Sequence, residues 1–295
     1  MKSRIVLVAL AANFMAVSSA SSLDKSLPAY QQAKGISGRI NSVGSDSLNN
    51  EMGLWSKGFM DRYPDVKITV EGKGSATAPP ALLDGSSQLG PMSRPMSGEE
   101  VDAFEKKYSY KPSSVRVAVD ALAIYVHKDN PVPCLTLQQL NRIFSSSRKG
   151  PAFGRDIKTW GDVGLTGEWA AKPISMFGRN SSSGTYEYFR DMVLYGGDYK
   201  TEVKEQVGSE AVVQGVASDK FAIGYSGLGY KTDAVRTVPL AKYEGAPCYN
   251  VSAEETYSGK YPIARYLVIY LNKNPDQPLD ALRSEFIKYV LSKDG

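Results

Sequence analysis

The chain has 295 residues, 42% of them hydrophobic, with a net charge of +4, two cysteines and a single histidine. That length and apolar share suit two lobes of ordinary domain size or one large α/β domain, and no low-complexity tract or repeat interrupts them. So small a charge, with basic residues scattered and their densest cluster only the pair Arg148-Lys149, excludes a dedicated nucleic-acid binder.

At the N-terminus, Lys2 and Arg4 precede an apolar run from Ile5 to Val17 and the small residues Ser18-Ser19-Ala20. This is the pattern of a secretory signal peptide over 1–20, cleaved after Ala20. The run is too short for a membrane span, and no cysteine lies near the site to carry a lipid. A secreted, unanchored, periplasmic protein is expected, with 21–35 as an N-terminal segment.

Arg39-Ile40-Asn41-Ser42-Val43 reads as a strand running into the polar loop Gly44-Ser45-Asp46-Ser47. Leu48, Met52, Trp55 and Phe59 then form the apolar stripe of a helix, which Pro64 ends. Val66, Ile68 and Val70 alternate as a half-buried strand does. The loop Gly72-Lys73-Gly74-Ser75-Ala76-Thr77 follows, opening a helix with Pro79 and Pro80 in its first turn and Gly85 near its end. Gln88-Leu89-Gly90 leads to a third loop, Met92-Ser93-Arg94-Pro95.

Further along, His127 stands at the exit of the strand Ala123-Ile124-Tyr125-Val126, where a surface or packing role is expected. Cys134 and Cys248 both lie in proline-flanked loops, and a single disulfide between them is expected in an oxidising compartment. Two distant cysteines and one histidine offer no metal-ligand spacing. The strand Ile174-Ser175-Met176-Phe177 leads into Arg179-Asn180-Ser181-Ser182-Ser183-Gly184-Thr185 and the amphipathic helix after it. A fixed cation, hydroxyls and a helix N-terminus with unpaired N–H groups make a socket for a tetrahedral oxyanion. Phe221-Ala222-Ile223-Gly224-Tyr225 is another strand, ending at Ser226-Gly227. Alternating strands and helices predict mainly parallel sheets whose loops converge on one edge, where ligands bind.

Taken together, the loops Gly44-Ser45-Asp46-Ser47, Gly72-Lys73-Gly74-Ser75, Met92-Ser93-Arg94 and Gly178 to Thr185, with Ala222-Ile223-Gly224-Tyr225 and Tyr261-Pro262-Ile263-Ala264-Arg265-Tyr266, resemble the phosphate-specific substrate-binding proteins of bacterial ABC transporters. The resemblance covers nearly all of the chain beyond the signal peptide. It implies an α/β, two-lobed periplasmic binding protein fold of type II, each lobe a mainly parallel sheet flanked by helices. Two crossover strands, through 117–122 and 265–268, would join lobe 1 (36–120 plus 264–295) to lobe 2 (121–263). It also implies a monomeric, non-enzymatic receptor without cofactor, whose partners are inorganic phosphate and an inner-membrane ABC permease. The phosphate-binding residues expected are Ser45, Asp46, Ser47, Ser75, Ser93, Arg94, Arg179, Ser182, Ser183, Gly184 and Thr185.

Two departures from the family stand out. Relatives carry an acidic residue after the serine of the third loop, accepting the proton of hydrogen phosphate, where this chain has Arg94. Asp46 is expected to supply the displaced acceptor and Arg94 a second, balancing cation. Relatives also continue past a stretch like 292–295 with a further element, whereas this sequence stops at Gly295. Three other readings stay open. The first is a receptor for another oxyanion, sulfate or molybdate. The second is a secreted serine hydrolase or phosphatase with Ser183 as nucleophile, weakened by the want of a nearby histidine or lysine base. The third is a surface adhesion role.

Overall fold

The computed structural model describes residues 26–151 and 154–295; the expected signal peptide lies outside them. Strands β1 (Gly38–Val43) and β2 (Val66–Glu71) pair in parallel, from Gly38↔Val66 to Val43↔Glu71, with α1 (Asn49–Arg62) as the crossover. Leu48, Met52, Trp55 and Phe59 are buried as the stripe requires. Helix α2 (Ala78–Asp84) takes its prolines in the first turn and ends at Gly85, whose φ of 85° suits a glycine C-cap. After β3 (Gly90–Met92), α3 (Gly98–Tyr108) starts from a capping box between Ser97 and Glu100.

Next comes the longest strand, β4 (Ser113–His127), followed by β5 (Leu135–Thr136) and α4 (Leu137–Phe144). The chain continues through β6 (Ser175–Arg179), α5 (Gly184–Met192), β7 (Lys204–Gln206), α6 (Ser209–Ser218) and β8 (Ala222–Gly227). It closes with β9 (Val235–Thr237), β10 (Leu240–Ala241), α7 (Ala253–Tyr257), β11 (Ala264–Leu271) and α8 (Ala281–Val290).

Seven strands make one sheet in the order β3-β11-β4-β8-β6-β7, with β9 also on β4. Strands β4 and β11 are antiparallel to each other and to every other neighbour they pair with. The remaining ladders between these strands, β1–β2, β5–β10, β6–β7 and β6–β8, are all parallel. The mainly parallel character expected of each half therefore holds away from the two crossing strands, which run against it because they carry the chain out and back.

Hydrophobic burial divides accordingly. Ile40, Leu48, Phe59, Leu267, Ile269 and Phe286 belong to one core, beside a smaller one around Leu82, Met92 and Phe104. Leu122, Ile124, Phe144, Trp160, Phe189 and Tyr225 belong to another, beside one around Val212, Val216 and Tyr125. Each fully buried side chain of this kind contributes about 1.5–3 kcal/mol. Strand β4 passes between the cores: Val115 and Val117 pack on the first, Leu122 to Val126 lie within the others. Strand β11 does the same in reverse, from Ile263 just before it to Leu271 at its end.

Cys134 and Cys248 form the expected disulfide, at a sequence separation of 114. The bond sits beside the β5–β10 pair, where Leu240 faces Leu135 and also bridges Tyr249. No helix among the described residues is long and apolar enough to cross a membrane.

Candidate functional site

Each candidate loop leaves the C-terminal end of a strand, and backbone hydrogen bonds tie the first three together. Gly44 N–H donates to Glu71, Ser45 N–H to Pro91 at 2.7 Å, and Gly74 N–H to Gly44 at 2.8 Å. Ser75 Oγ accepts from Ser93 N–H at 3.0 Å and lies 3.2 Å from Ser93 Oγ. From the other half, Ser183 caps α5 by accepting from Thr185 N–H at 3.1 Å. Its neighbour Ser182 stays at the surface of contact: the Ser182 carbonyl accepts from Ala76 N–H at 3.1 Å, and its hydroxyl reaches only Asn180.

The two sets of loops meet closely. A Cβ on Gly74, whose φ is 113°, would stand 2.4 Å from the Ser182 carbonyl. One on Gly184 would stand 2.4 Å from Ser75 Oγ and 2.7 Å from Ser93 Oγ. Glycine permits the backbone approach at Gly74 and leaves room for the two serine hydroxyls at Gly184. Ser47 Oγ and Thr185 Oγ1 lie 2.9 Å apart across the same seam.

At its centre is Arg179, the last residue of β6 and 1% exposed. Its Nη1 is ion-paired with Asp46 Oδ2 at 2.9 Å and donates to Ser209 Oγ at 2.8 Å, and its Nη2 donates to the Val207 carbonyl at 3.0 Å. Asp46 Oδ2 also accepts from Ser209 N–H at 2.9 Å and Ser209 Oγ at 2.6 Å, so the N-terminus of α6 helps hold its charge. Burial pushes the Arg179 guanidinium below its ordinary pKa, and the Asp46 carboxylate acts against that; a guanidinium stays charged regardless. Arg179 Nε and Ser45 Oγ are buried without a hydrogen-bond partner among the described residues. A buried cation, an adjacent carboxylate and hydroxyls from both halves can bind an oxyanion and can accept a proton from it.

The structure thus brings together Ser45, Asp46, Ser47, Ser75, Ser93, Arg179, Ser182, Ser183, Gly184 and Thr185. It does not bring Arg94 to Asp46. The Arg94 guanidinium makes two bonds to Glu100, at 2.7 and 2.8 Å, and a third contact to Glu187 on α5. Its acidic partners hold it apart from the Asp46–Arg179 pair, and the contact with Glu187 crosses the seam and joins the two halves.

The PBP superfamily domain matches residues 28–294. A phosphate-binding protein, PstS, of Pseudomonas aeruginosa is 52% identical over 286 residues, covering 97% of this chain and 88% of that protein. The chain belongs to this family of phosphate-specific substrate-binding proteins. A PstS of Staphylococcus epidermidis is 28% identical over 89% of this chain and 77% of its own length. Among solved structures, a Clostridium perfringens protein with bound phosphate superposes with a TM-score of 0.70 at 24% identity, covering 85% of this chain and 93% of that one. An ABC-type phosphate transport receptor of Vibrio cholerae gives 0.66 at 22% identity, covering 86% and 94%. The fold is accordingly the type II periplasmic binding protein fold, two α/β halves joined by two crossing strands.

Around this seam, four residues that hold the candidate side chains were not named as site residues in the sequence reading. Ser209 and Tyr230 both hold Asp46, the tyrosine donating to its carbonyl at 2.7 Å. Arg265 and Asp120 form an ion pair behind Ser47 and Thr185. The last two did leave a signal: each is a lone charge inside an apolar run that becomes a crossing strand.

Proposed function

We infer that this protein is a receptor that captures inorganic phosphate between its halves and delivers it to an ABC importer. The observation that carries the reading is the buried Arg179–Asp46 pair set among hydroxyls of both halves, in a chain half identical to a phosphate-binding protein. Capture involves no bond-making chemistry. Ser183 Oγ is engaged by Thr185 N–H, and the single histidine, His127, lies at the far end of β4 against Asp129. A serine hydrolase would need a base beside that hydroxyl.

Ser45, Asp46, Ser47, Ser75, Ser93, Arg179, Ser183, Gly184 and Thr185 form the proposed contact set, with Arg94 acting through closure rather than on the anion. Closure completes the shell, so binding shifts the population toward the closed form. The working lobes are 36–120 with 264–295 and 121–263, a division supported by the separate cores. The periplasm is the proposed compartment, in keeping with the disulfide and the N-terminal sequence pattern.

Asp46 is the proposed discriminator. Its Oδ2 is engaged by Arg179 and Ser209, leaving the other oxygen to accept the proton that phosphate carries and sulfate lacks. Calorimetric titration of protein refolded free of ligand tests this. Wild type binds phosphate one to one and not sulfate. Asp46→Asn weakens phosphate by about tenfold or more and lets sulfate bind. Unchanged discrimination in Asp46→Asn would overturn the assignment.

A further inference from the structure

Arg265 opens β11 one residue from its start, directly opposite Asp120 of β4 in the register of the two crossing strands. Its Nε and Nη2 both donate to Asp120 Oδ2, at 3.1 and 2.9 Å. The guanidinium also lies over the ring of Tyr188, 5.1 Å from its centroid, and that tyrosine donates to the Ala264 carbonyl at 2.6 Å. Arg265 is 7% exposed. It is therefore fixed on the crossing strands themselves, the part of the molecule that belongs to both halves.

From that anchorage its remaining donors reach the anion site. Nη2 donates to Thr185 Oγ1 at 2.8 Å and, more weakly, to Ser47 Oγ at 3.4 Å, while Nη1 donates to the Gly184 carbonyl at 3.3 Å. Ser47 and Thr185 come from opposite halves and are 2.9 Å apart. A hydroxyl has one proton to give and two lone pairs to receive with. When a guanidinium N–H occupies a lone pair, the proton must point elsewhere, and the oxygen's acquired polarisation makes that O–H a stronger donor.

We propose that Arg265, held by Asp120, is a positioning residue for anion capture: by donating to the oxygens of the hydrogen-bonded Thr185–Ser47 pair it leaves the pair's one free proton turned toward the bound anion. This deepens the phosphate-receptor reading and rests on it. Arg265 acts through the hydroxyls and touches no ligand itself. Because it stays with the crossing strands while Ser47 and Thr185 approach from either side, its contacts to both are complete only in the closed form.

The test is a double-mutant cycle on phosphate affinity, by calorimetry on ligand-stripped, refolded protein. Arg265→Met and Thr185→Val each weaken phosphate by about tenfold, and the double variant is no weaker than the worse single one. Losses that multiply would show that Arg265 does not work through Thr185 and would overturn the proposal. If Arg265→Met does not refold, Arg265→Lys replaces it in the cycle. A lysine keeps the charge but lacks the planar fork that spans from Asp120 to the two hydroxyls, so it also weakens phosphate; full affinity in folded Arg265→Lys would overturn the proposal too. A purely structural arginine would lower the ligand-free melting temperature without coupling to Thr185. Wild-type protein that bound no phosphate would overturn the receptor reading itself, whereas wild-type binding with independent losses defeats only the inference.

Discussion

At Gly184 an added methyl would stand 2.4 Å from Ser75 Oγ and 2.7 Å from Ser93 Oγ, inside van der Waals contact on the opposite half. Nothing in α5 opposes alanine there, since it is the best helix former; the cost falls only on closure. Gly184→Ala is therefore expected to leave the ligand-free melting temperature within a degree or two while weakening phosphate by about tenfold or more, the scale of an overpacked contact. Titration and thermal scans of the same sample check both halves of that statement. Single residues of this kind were legible in the sequence where a local pattern held them, as with the hydroxyls before α5. Arg94 was expected as a second cation on the anion balancing Asp46; its pairing with Glu187 was not legible, because that contact depends on how two separate halves meet.

The strand–loop–helix units could be read because each carries its own punctuation: an alternating or apolar strand, a glycine-serine loop, then a helical stripe. Helices α3 and α4 were missed although their capping boxes, Ser97 with Glu100 and Thr136 with Gln139, are local signals. The pairing of Arg265 with Asp120 had no local signal beyond the charges themselves, because it follows from the register of β11 on β4. The disulfide works at the same scale. It closes a loop of 114 residues around the edge where β5 meets β10, and the chain-entropy account gives such a loop about 4–5 kcal/mol. Replacing both cysteines by serine should lower the denaturation midpoint by several degrees in calorimetry, with phosphate affinity retained, since neither cysteine touches the anion loops.

Across the whole molecule, the N-terminal segment, α1 and α8 share one buried carboxylate. Glu285, 3% exposed, accepts from Tyr30 and Tyr63 hydroxyls at 2.7 and 3.2 Å and from Ala33 N–H at 3.3 Å. Burial alone would raise its pKa, but these bonds outweigh it and hold the carboxyl below the ordinary glutamate value of 4.5. A lowered folded pKa means that the unfolded chain binds more protons over that window. The stabilisation is therefore complete above the ordinary glutamate range and is lost as the pH falls through the depressed value. Glu285→Gln should cost about 1–3 kcal/mol at pH 7 and flatten the acid limb of stability measured by urea titration. Helix α8 has one more consequence, for the order in which the chain can fold. Phe286 and Tyr289 fill the core begun by Ile40, Leu48 and Phe59, so that core waits until α8, more than 200 residues further along, has been made. The core around Leu122, Phe144 and Phe189 draws its buried residues from one continuous stretch, Ala121 to Ile263, and needs no such wait. During synthesis the core around Phe144 and Phe189 can settle first, while the one around Ile40 and Phe59 stays unfinished until α8 arrives.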